Sequence, residues 1–327
     1  MLRLPPFRYI APGTLAATTQ LLADHGERAM IVAGGTDLFP NMKRRQFTPE
    51  VLVGLRGLRE LRGIAGDPDT GMTIGALATL TEIATHPAIR MGYPALAQAT
   101  GLVSAPQLRN VGTLGGNLCV DTRCNYYNQT EFWRASVGYC MKKDGDICLV
   151  APGSPRCWAI ASSDCAPALI SLGAQVRLVS PRGERSIPVD ALYQDDGIAY
   201  LSKAHDEVLA EVLLPPSDGW RSVYRKLRRR GSFDFPILGV AIALRQNTDG
   251  TVRDARIVLG ALASHPVEAT AAVALLAGQP LNPDVIAAVA AAAARPAKPL
   301  DNADLTLSYR KQMVPVFVRR ALEDLCE

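Results

Sequence analysis

Four of the seven cysteines in this chain of 327 residues, Cys124, Cys140, Cys148 and Cys157, follow one another at the spacing C-x15-C-x7-C-x8-C. Soft thiolates gathered in a reducing compartment bind zinc or an iron–sulfur cluster, and pair as disulfides mainly in oxidising ones. An odd cysteine total also argues against a full disulfide set. Zinc ribbons use C-x2-4-C pairs and bacterial ferredoxins use C-x2-C-x2-C, and neither occurs here. Spacing alone therefore leaves zinc and iron–sulfur both open. Tyr126, Tyr127, Trp133, Tyr139 and Trp158 are interleaved with the cysteines. Aromatic side chains of this kind can shield a cluster from water and so help to set its potential.

Two glycine loops carry a second chemistry. Ala33-Gly34-Gly35-Thr36-Asp37 directly follows the apolar run Met30–Ala33. Glycine lets the backbone approach a ligand closely, and successive amides can cradle a phosphate. The spacing is neither G-x-G-x-x-G nor a Walker loop. The second loop runs from Arg109 to Asn117 (RNVGTLGGN), with Gly112, Gly115, Gly116, Thr113 and Asn117 as candidate contacts. Two such loops in one chain suggest one dinucleotide gripped from two sides.

The elements that must position these loops can be read from pattern. Thr14 caps a helix over Ala16–Ala23 that Gly26 stops. Met30–Ala33 and Val51–Val53 read as buried, parallel strands joined by a helix over Phe39–Arg45, a small β-α-β unit. Gly71–Gly75 reads as a strand, Thr79 or Thr81 as a helix cap, and Tyr93–Thr100 as a helix ended by Gly101. Ala174–Ser180 alternates as a strand and turns at Pro181–Glu184; Glu207–Pro215 is another strand. Strands over Ser222–Arg229, Leu238–Arg245 and Thr251–Leu259, then helices over Val267–Leu276, Pro283–Ala294 and Asp304–Leu325, predict a separate α+β domain. The expected division is residues 1–56, 57–217 and 218–327.

Net charge of +4, from 35 basic and 31 acidic residues, is too balanced for a nucleic-acid binder. The basic run Tyr224–Arg230 reads as a strand with charges aimed at a ligand or partner. No signal peptide or apolar run of membrane-spanning length is present in the sequence, so a cytoplasmic location is expected. His25, His86, His205 and His265 are scattered and suggest neither a metal site nor a triad.

AGGTDL and RNVGTLGGN resemble the two FAD loops of the flavin subunits of molybdenum hydroxylases, the family of xanthine dehydrogenase and carbon monoxide dehydrogenase. Ser162–Leu169 (SSDCAPAL) resembles that family's S-x-x-D-x-x-P segment. Glu207-Val208-Leu209 through Pro215, Tyr224-Arg225-Lys226-Leu227 with Asp234-Phe235-Pro236, and the closing Arg319–Leu322 resemble three further segments. The resemblance covers essentially the whole chain. It implies an α+β fold, with an FAD-binding domain of the vanillyl-alcohol-oxidase type in two α/β subdomains. Ile31, Val32, Ala33, Gly34, Gly35, Thr36, Asp37 and Leu38, with Thr113–Asn117, would line the FAD pyrophosphate. Asp164 would bind the adenine–ribose side, Val208 and Leu209 would pack near the cofactor, and Lys226 would sit close to it.

In most of that family a few residues separate GGN from S-x-x-D. Here Asn117 and Ser162 are 45 apart, and residues 120–160 read as an insertion. LCVDTRCNYYNQTEFW, GYC, GDIC and PRCWA resemble one branch, the flavin subunits of 4-hydroxybenzoyl-CoA reductases. That resemblance implies an extra [4Fe-4S] cluster held by Cys124, Cys140, Cys148 and Cys157. It also implies a large subunit with the molybdenum cofactor, a small subunit with two [2Fe-2S] clusters, and an (αβγ)2 assembly. Electrons would enter from a ferredoxin-like donor, with Arg123, Arg134, Lys142, Lys143 and Arg156 as a docking surface. Cys119 is expected to pack near the flavin turn, Cys165 in the core and Cys326 on the tail. A molybdenum hydroxylase acting on another substrate and a flavin-free, zinc-stapled scaffold remain alternatives.

Overall fold

The computed structural model describes residues 2–326. Three sheets are built in chain order. The first contains β1 (Arg8–Ile10), β2 (Ala29–Val32) and β3 (Val51–Gly54), all parallel, in the order β1-β3-β2. Thr14 accepts a hydrogen bond from the Ala17 amide and starts the helix Leu15–His25 between β1 and β2. Gly26, at φ 54°, ends it. A second helix, Leu38–Lys43, joins β2 to β3, so the expected β-α-β unit is present.

The second sheet contains β4 (Ile64–Asp67), β5 (Gly71–Gly75), β6 (Gln175–Ser180), β7 (Gly183–Pro188) and β8 (Val208–Leu214), antiparallel in the order β4-β5-β8-β6-β7. Thr79 and Glu82 form a reciprocal capping box at the helix Leu80–Thr85. The helix expected over Tyr93–Thr100 runs from Pro94 to Leu102, with Gly101 inside it. Glycine weakens a helix by only about 1 kcal/mol, and burial of Ala95, Leu96 and Ala99 outweighs that.

The third sheet contains β9 (Arg221–Leu227), β10 (Leu238–Gln246), β11 (Val252–Gly260) and β12 (Val267–Glu268), antiparallel in chain order. Every residue from Leu238 to Leu244 is buried, because both faces of this sheet are covered. Ala241, directly opposite Tyr224 and Val258, packs with them into the core that includes Ala95 and Leu169. Val240, Ile242 and Leu244 face the helices Pro283–Ala293 and Leu307–Asp324. The helix expected over Val267–Leu276 shrinks to Thr270–Val273, because Val267 and Glu268 pair with Leu259 and Val258 as an edge strand. Among the described residues no helix is long and apolar enough to cross a membrane.

Residues 120–160 hold one short helix, Glu131–Ser136, and otherwise turns. Their ends meet: the Arg123 amide donates to Ile160 O at 2.9 Å and the Ile160 amide returns to Arg123 O at 2.8 Å. Just outside that neck, Asn117 Oδ1 accepts from Ser163 Oγ at 2.7 Å and from the Cys165 amide at 3.1 Å. The two flanks of the insertion are thus neighbours in space.

Arg310 fixes the far side. Its side chain is fully buried and donates to Leu300 O, Asn302 Oδ1 and Ala261 O. Burial pushes its pKa down to about 10. Asn302 in turn donates to Trp158 O at 2.6 Å, and its own carbonyl accepts from the Asn125 amide. Replacing Arg310 with Met orphans two buried acceptors, Asn302 Oδ1 and Ala261 O, and the part-buried Leu300 O. A loss of about 3 kcal/mol is expected, read as a lower urea midpoint at unchanged slope.

Candidate functional site

The two glycine loops meet at one point. A Cβ on Gly34 would lie 2.2 Å from the Val111 carbonyl oxygen, so only glycine lets the loops touch. Gly35 has φ 72°, a left-handed conformation that glycine adopts without steric cost. No protein acceptor takes a hydrogen bond from the backbone amides of Gly34, Gly35, Thr36 or Asp37 among the described residues. Thr113 caps the turn that follows, accepting from the Gly116 amide at 3.2 Å.

Behind this junction lies a cavity of about 1040 Å³, the upper end of small-molecule sites and a suitable size for a dinucleotide. Ile31 to Leu38, Gly112, Thr113, Gly115, Gly116, Asn117, Val208 and Leu209 all line it. Four free consecutive amides at its wall suit an anionic pyrophosphate.

Asp164 and Lys226 do not line it. They pair with each other, Lys226 Nζ donating to Asp164 Oδ2 at 2.9 Å, with side chains 1% and 3% exposed. Tyr224 Oη donates to Asp164 Oδ1 and Lys226 also donates to Leu102 O. Burial pushes the Asp164 carboxyl up, against the pull of Lys226. In this arrangement the two residues tie β9 to the segment after the insertion, and neither faces the cavity.

Tyr200, Lys203 and Asn302 carry no motif, whereas Phe235 belongs to the Asp234-Phe235-Pro236 segment. Tyr200 lines the cavity and donates to Cys119 O; burial and Asp121 raise its pKa. Lys203 is held by Ala204 O and Glu207 O, and burial lowers its pKa. Phe235 and Asn302 arrive from the C-terminal region. The carboxylate of Glu207, in another of the segments read from the sequence, accepts from Arg185 and from the Ala204 amide and so shapes the loop.

The four cysteines converge. Cys124, Cys140, Cys148 and Cys157 are all buried and all line a second, small cavity. Tyr127 and Ala159 pack among them. Burial pushes the Cys124 thiol up to about 12 and the Cys157 thiol to about 11. Such thiols ionise only against a bound cation. Among the described residues no three His, Cys, Asp or Glu side chains form a group spaced for one metal ion. The space that the four thiols line is small, about 10 Å³. Cys124 lines both this cavity and the larger one. Cys165 lies in the core and Cys119 on the large cavity wall, as expected.

Of the basic residues expected to form a docking surface, Arg134 and Lys142 turn inward, while Lys143 is partly exposed beside Asp144. Arg134 and Lys142 have side chains 1% and 6% exposed. Arg123 pairs with Asp37 at 2.7 Å and stacks on Phe235, and Arg156 pairs with Asp195.

Residues 5–217 match the family model described as the FAD binding domain in molybdopterin dehydrogenase, and residues 222–325 match the CO dehydrogenase flavoprotein C-terminal domain. The chain belongs to this family of FAD-binding oxidoreductase subunits. It is 29% identical to the carbon monoxide dehydrogenase medium chain of Hydrogenophaga pseudoflava, over 97% of this chain and 96% of that one. It is 33% identical to the aldehyde oxidoreductase FAD-binding subunit PaoB of Escherichia coli, over 80% of this chain and 83% of the relative. Its structure superimposes on a chain of CO dehydrogenase from Oligotropha carboxidovorans with a TM-score of 0.80 at 27% identity, over 98% of each. The family binds FAD, and the large cavity at the two glycine loops is the candidate place for it.

Two outcomes follow for this FAD-binding chain. Gly34→Ala forces the two loops apart and should weaken FAD retention about tenfold, the lower end of an overpacking cost; flavin released from purified protein measures it. Arg185 beside Glu207 holds its carboxyl below the usual range. Its stabilisation is therefore present above the unfolded carboxylate pKa near ~4.3 and lost as pH falls through the lower folded value. Glu207→Gln should cost about 1 kcal/mol at neutral pH, with the gap to wild type closing between about pH 5 and pH 3 in urea titrations.

Proposed function

We propose that this chain is the FAD and [4Fe-4S] electron-transfer subunit of a molybdenum-dependent 4-hydroxybenzoyl-CoA reductase. The observation that carries the reading is the shared wall: four buried cysteines frame one cavity, and Cys124 also lines the FAD cavity. A [4Fe-4S] cluster takes one thiolate per iron, and four buried cysteines on one cavity supply that number and type of donor. Cys124, Cys140, Cys148 and Cys157 would hold it, and it would supply one-electron transfer at low potential.

The chain's own residues do the rest. Tyr127 and Ala159 close the thiol cavity to water. The free amides of residues 34–37 would hold the FAD pyrophosphate, and Arg123, paired with Asp37, fixes the insertion against that loop. Electrons from a ferredoxin-like donor would enter through the insertion. They would leave through the flavin cavity toward [2Fe-2S] centres on a small subunit and molybdenum on a large one, in an (αβγ)2 assembly. There they would drive removal of a phenolic hydroxyl from an aromatic acyl-CoA, in the cytoplasm.

A second reading keeps the site and changes the substrate. Identity of 33% to an aldehyde oxidoreductase FAD-binding subunit favours it, with electrons running outward from an oxidised substrate.

Anaerobically purified complex tests both. The proposal expects about four iron per copy of this chain above the small subunit's content, and 4-hydroxybenzoyl-CoA turnover with reduced viologen. Aldehyde-dependent dye reduction without that turnover selects the second reading. Zinc in place of iron sinks the electron-transfer role of the cysteines. Cys140→Ser should abolish the extra iron while FAD stays bound; loss of both would make the insertion a structural prop for the loop.

A further inference from the structure

The wall between the two cavities contains a buried cation. Lys142, on the turn after Cys140, has a side chain only 6% exposed. Its Nζ donates to Asp121 Oδ1 at 2.7 Å, to Gly197 O at 2.6 Å and to Thr122 Oγ1. It lies 4.7 Å from the ring centroid of Tyr127 and 5.5 Å from that of Tyr200. Lys142 and Tyr127 line the thiol cavity; Asp121 and Tyr200 line the flavin cavity. The second carboxylate oxygen, Asp121 Oδ2, is buried without a hydrogen-bond partner.

Packing alone does not ask for an ammonium here. A buried ion pair costs several kcal/mol of desolvation per ion, which an apolar pair of similar volume avoids. Nor does Lys142 serve the outer surface, since all its donors are spent on the wall. What the arrangement does supply is a fixed dipole, with its positive end at the thiols and its negative end at the flavin cavity.

We propose that Lys142 is a positioning residue for electron transfer, its buried charge raising the reduction potential of whatever the four cysteines hold. The inference rests on the reading that they hold an iron–sulfur cluster. A cluster becomes more negative when it gains an electron, and a nearby fixed cation stabilises that state. Asp121 acts oppositely on the flavin side. The dipole therefore narrows the gap between a low-potential cluster and a higher-potential flavin, which favours transfer in either direction over a one-way drop.

The test is a redox titration of the anaerobic holo-complex, following the iron–sulfur signal by electron paramagnetic resonance, with iron and FAD assayed on the same samples. Lys142→Met should keep its iron and FAD while its cluster midpoint moves to more negative potential. At the wild-type midpoint, its reduced-to-oxidised ratio should fall about tenfold, as expected for one charge at this range in a partly shielded interior. Lys142→Arg should titrate near wild type. An unchanged midpoint in iron-loaded Lys142→Met overturns the proposal. Should Lys142→Met lose its iron, Lys142→Arg decides: iron retained at the wild-type midpoint supports the requirement for charge, and iron lost there too reduces Lys142 to a structural prop. A wild-type complex lacking this cluster is a different failure, seen before any variant is made, and removes the underlying reading as well.

Discussion

The carboxamide of Asn117 holds the site together. By accepting from Ser163 and Cys165 it joins two pieces of chain that the insertion separates by more than forty positions, and the Arg123–Ile160 bridge closes the neck beside it. Because the flanks are pinned there, the glycine turn before the insertion and the buried helix after it keep the relation a continuous segment would have. The large cavity then survives the interruption, and the cysteine cavity is set against its wall.

Much of this was legible because the glycine loops have a steric signature. A pair of glycines after a buried strand is needed where backbone must touch backbone, and Gly34 against Val111 is that contact. The strands whose apolar runs are buried on both sides were equally readable. β1 and β4 were not: Arg8–Ile10 and Ile64–Asp67 are short, mostly exposed and carry no alternation, and only their neighbours make them strands. Tyr200 and Lys203 were missed for a similar reason, since their partners lie on segments distant in the chain or on backbone carbonyls.

Charge was harder to place than shape. Family resemblance implies that Asp164 and Lys226 serve the cofactor; in the structure they pair with each other, 62 residues apart. The basic residues of the insertion read as a docking face because they surround the cysteines, and two of them, Arg134 and Lys142, turn inward. The insertion has few regular elements to satisfy its own carbonyls, so long cationic side chains do that work. Arg134 reaches Arg44 O and Lys142 reaches Gly197 O.

Those long reaches make the insertion a keystone rather than an appendage. Gln46 donates to Tyr127 O from the N-terminal unit, and Asn302 donates to Trp158 O from the C-terminal one. Three regions far apart in the chain therefore share their polar bookkeeping through this one stretch. Excising residues 124–159 would not return the chain to a simpler flavoprotein. It would strand Gln46, Asn302 and the Arg44 carbonyl at once, so the segment could enter or leave the family only together with changes in the surfaces that receive it.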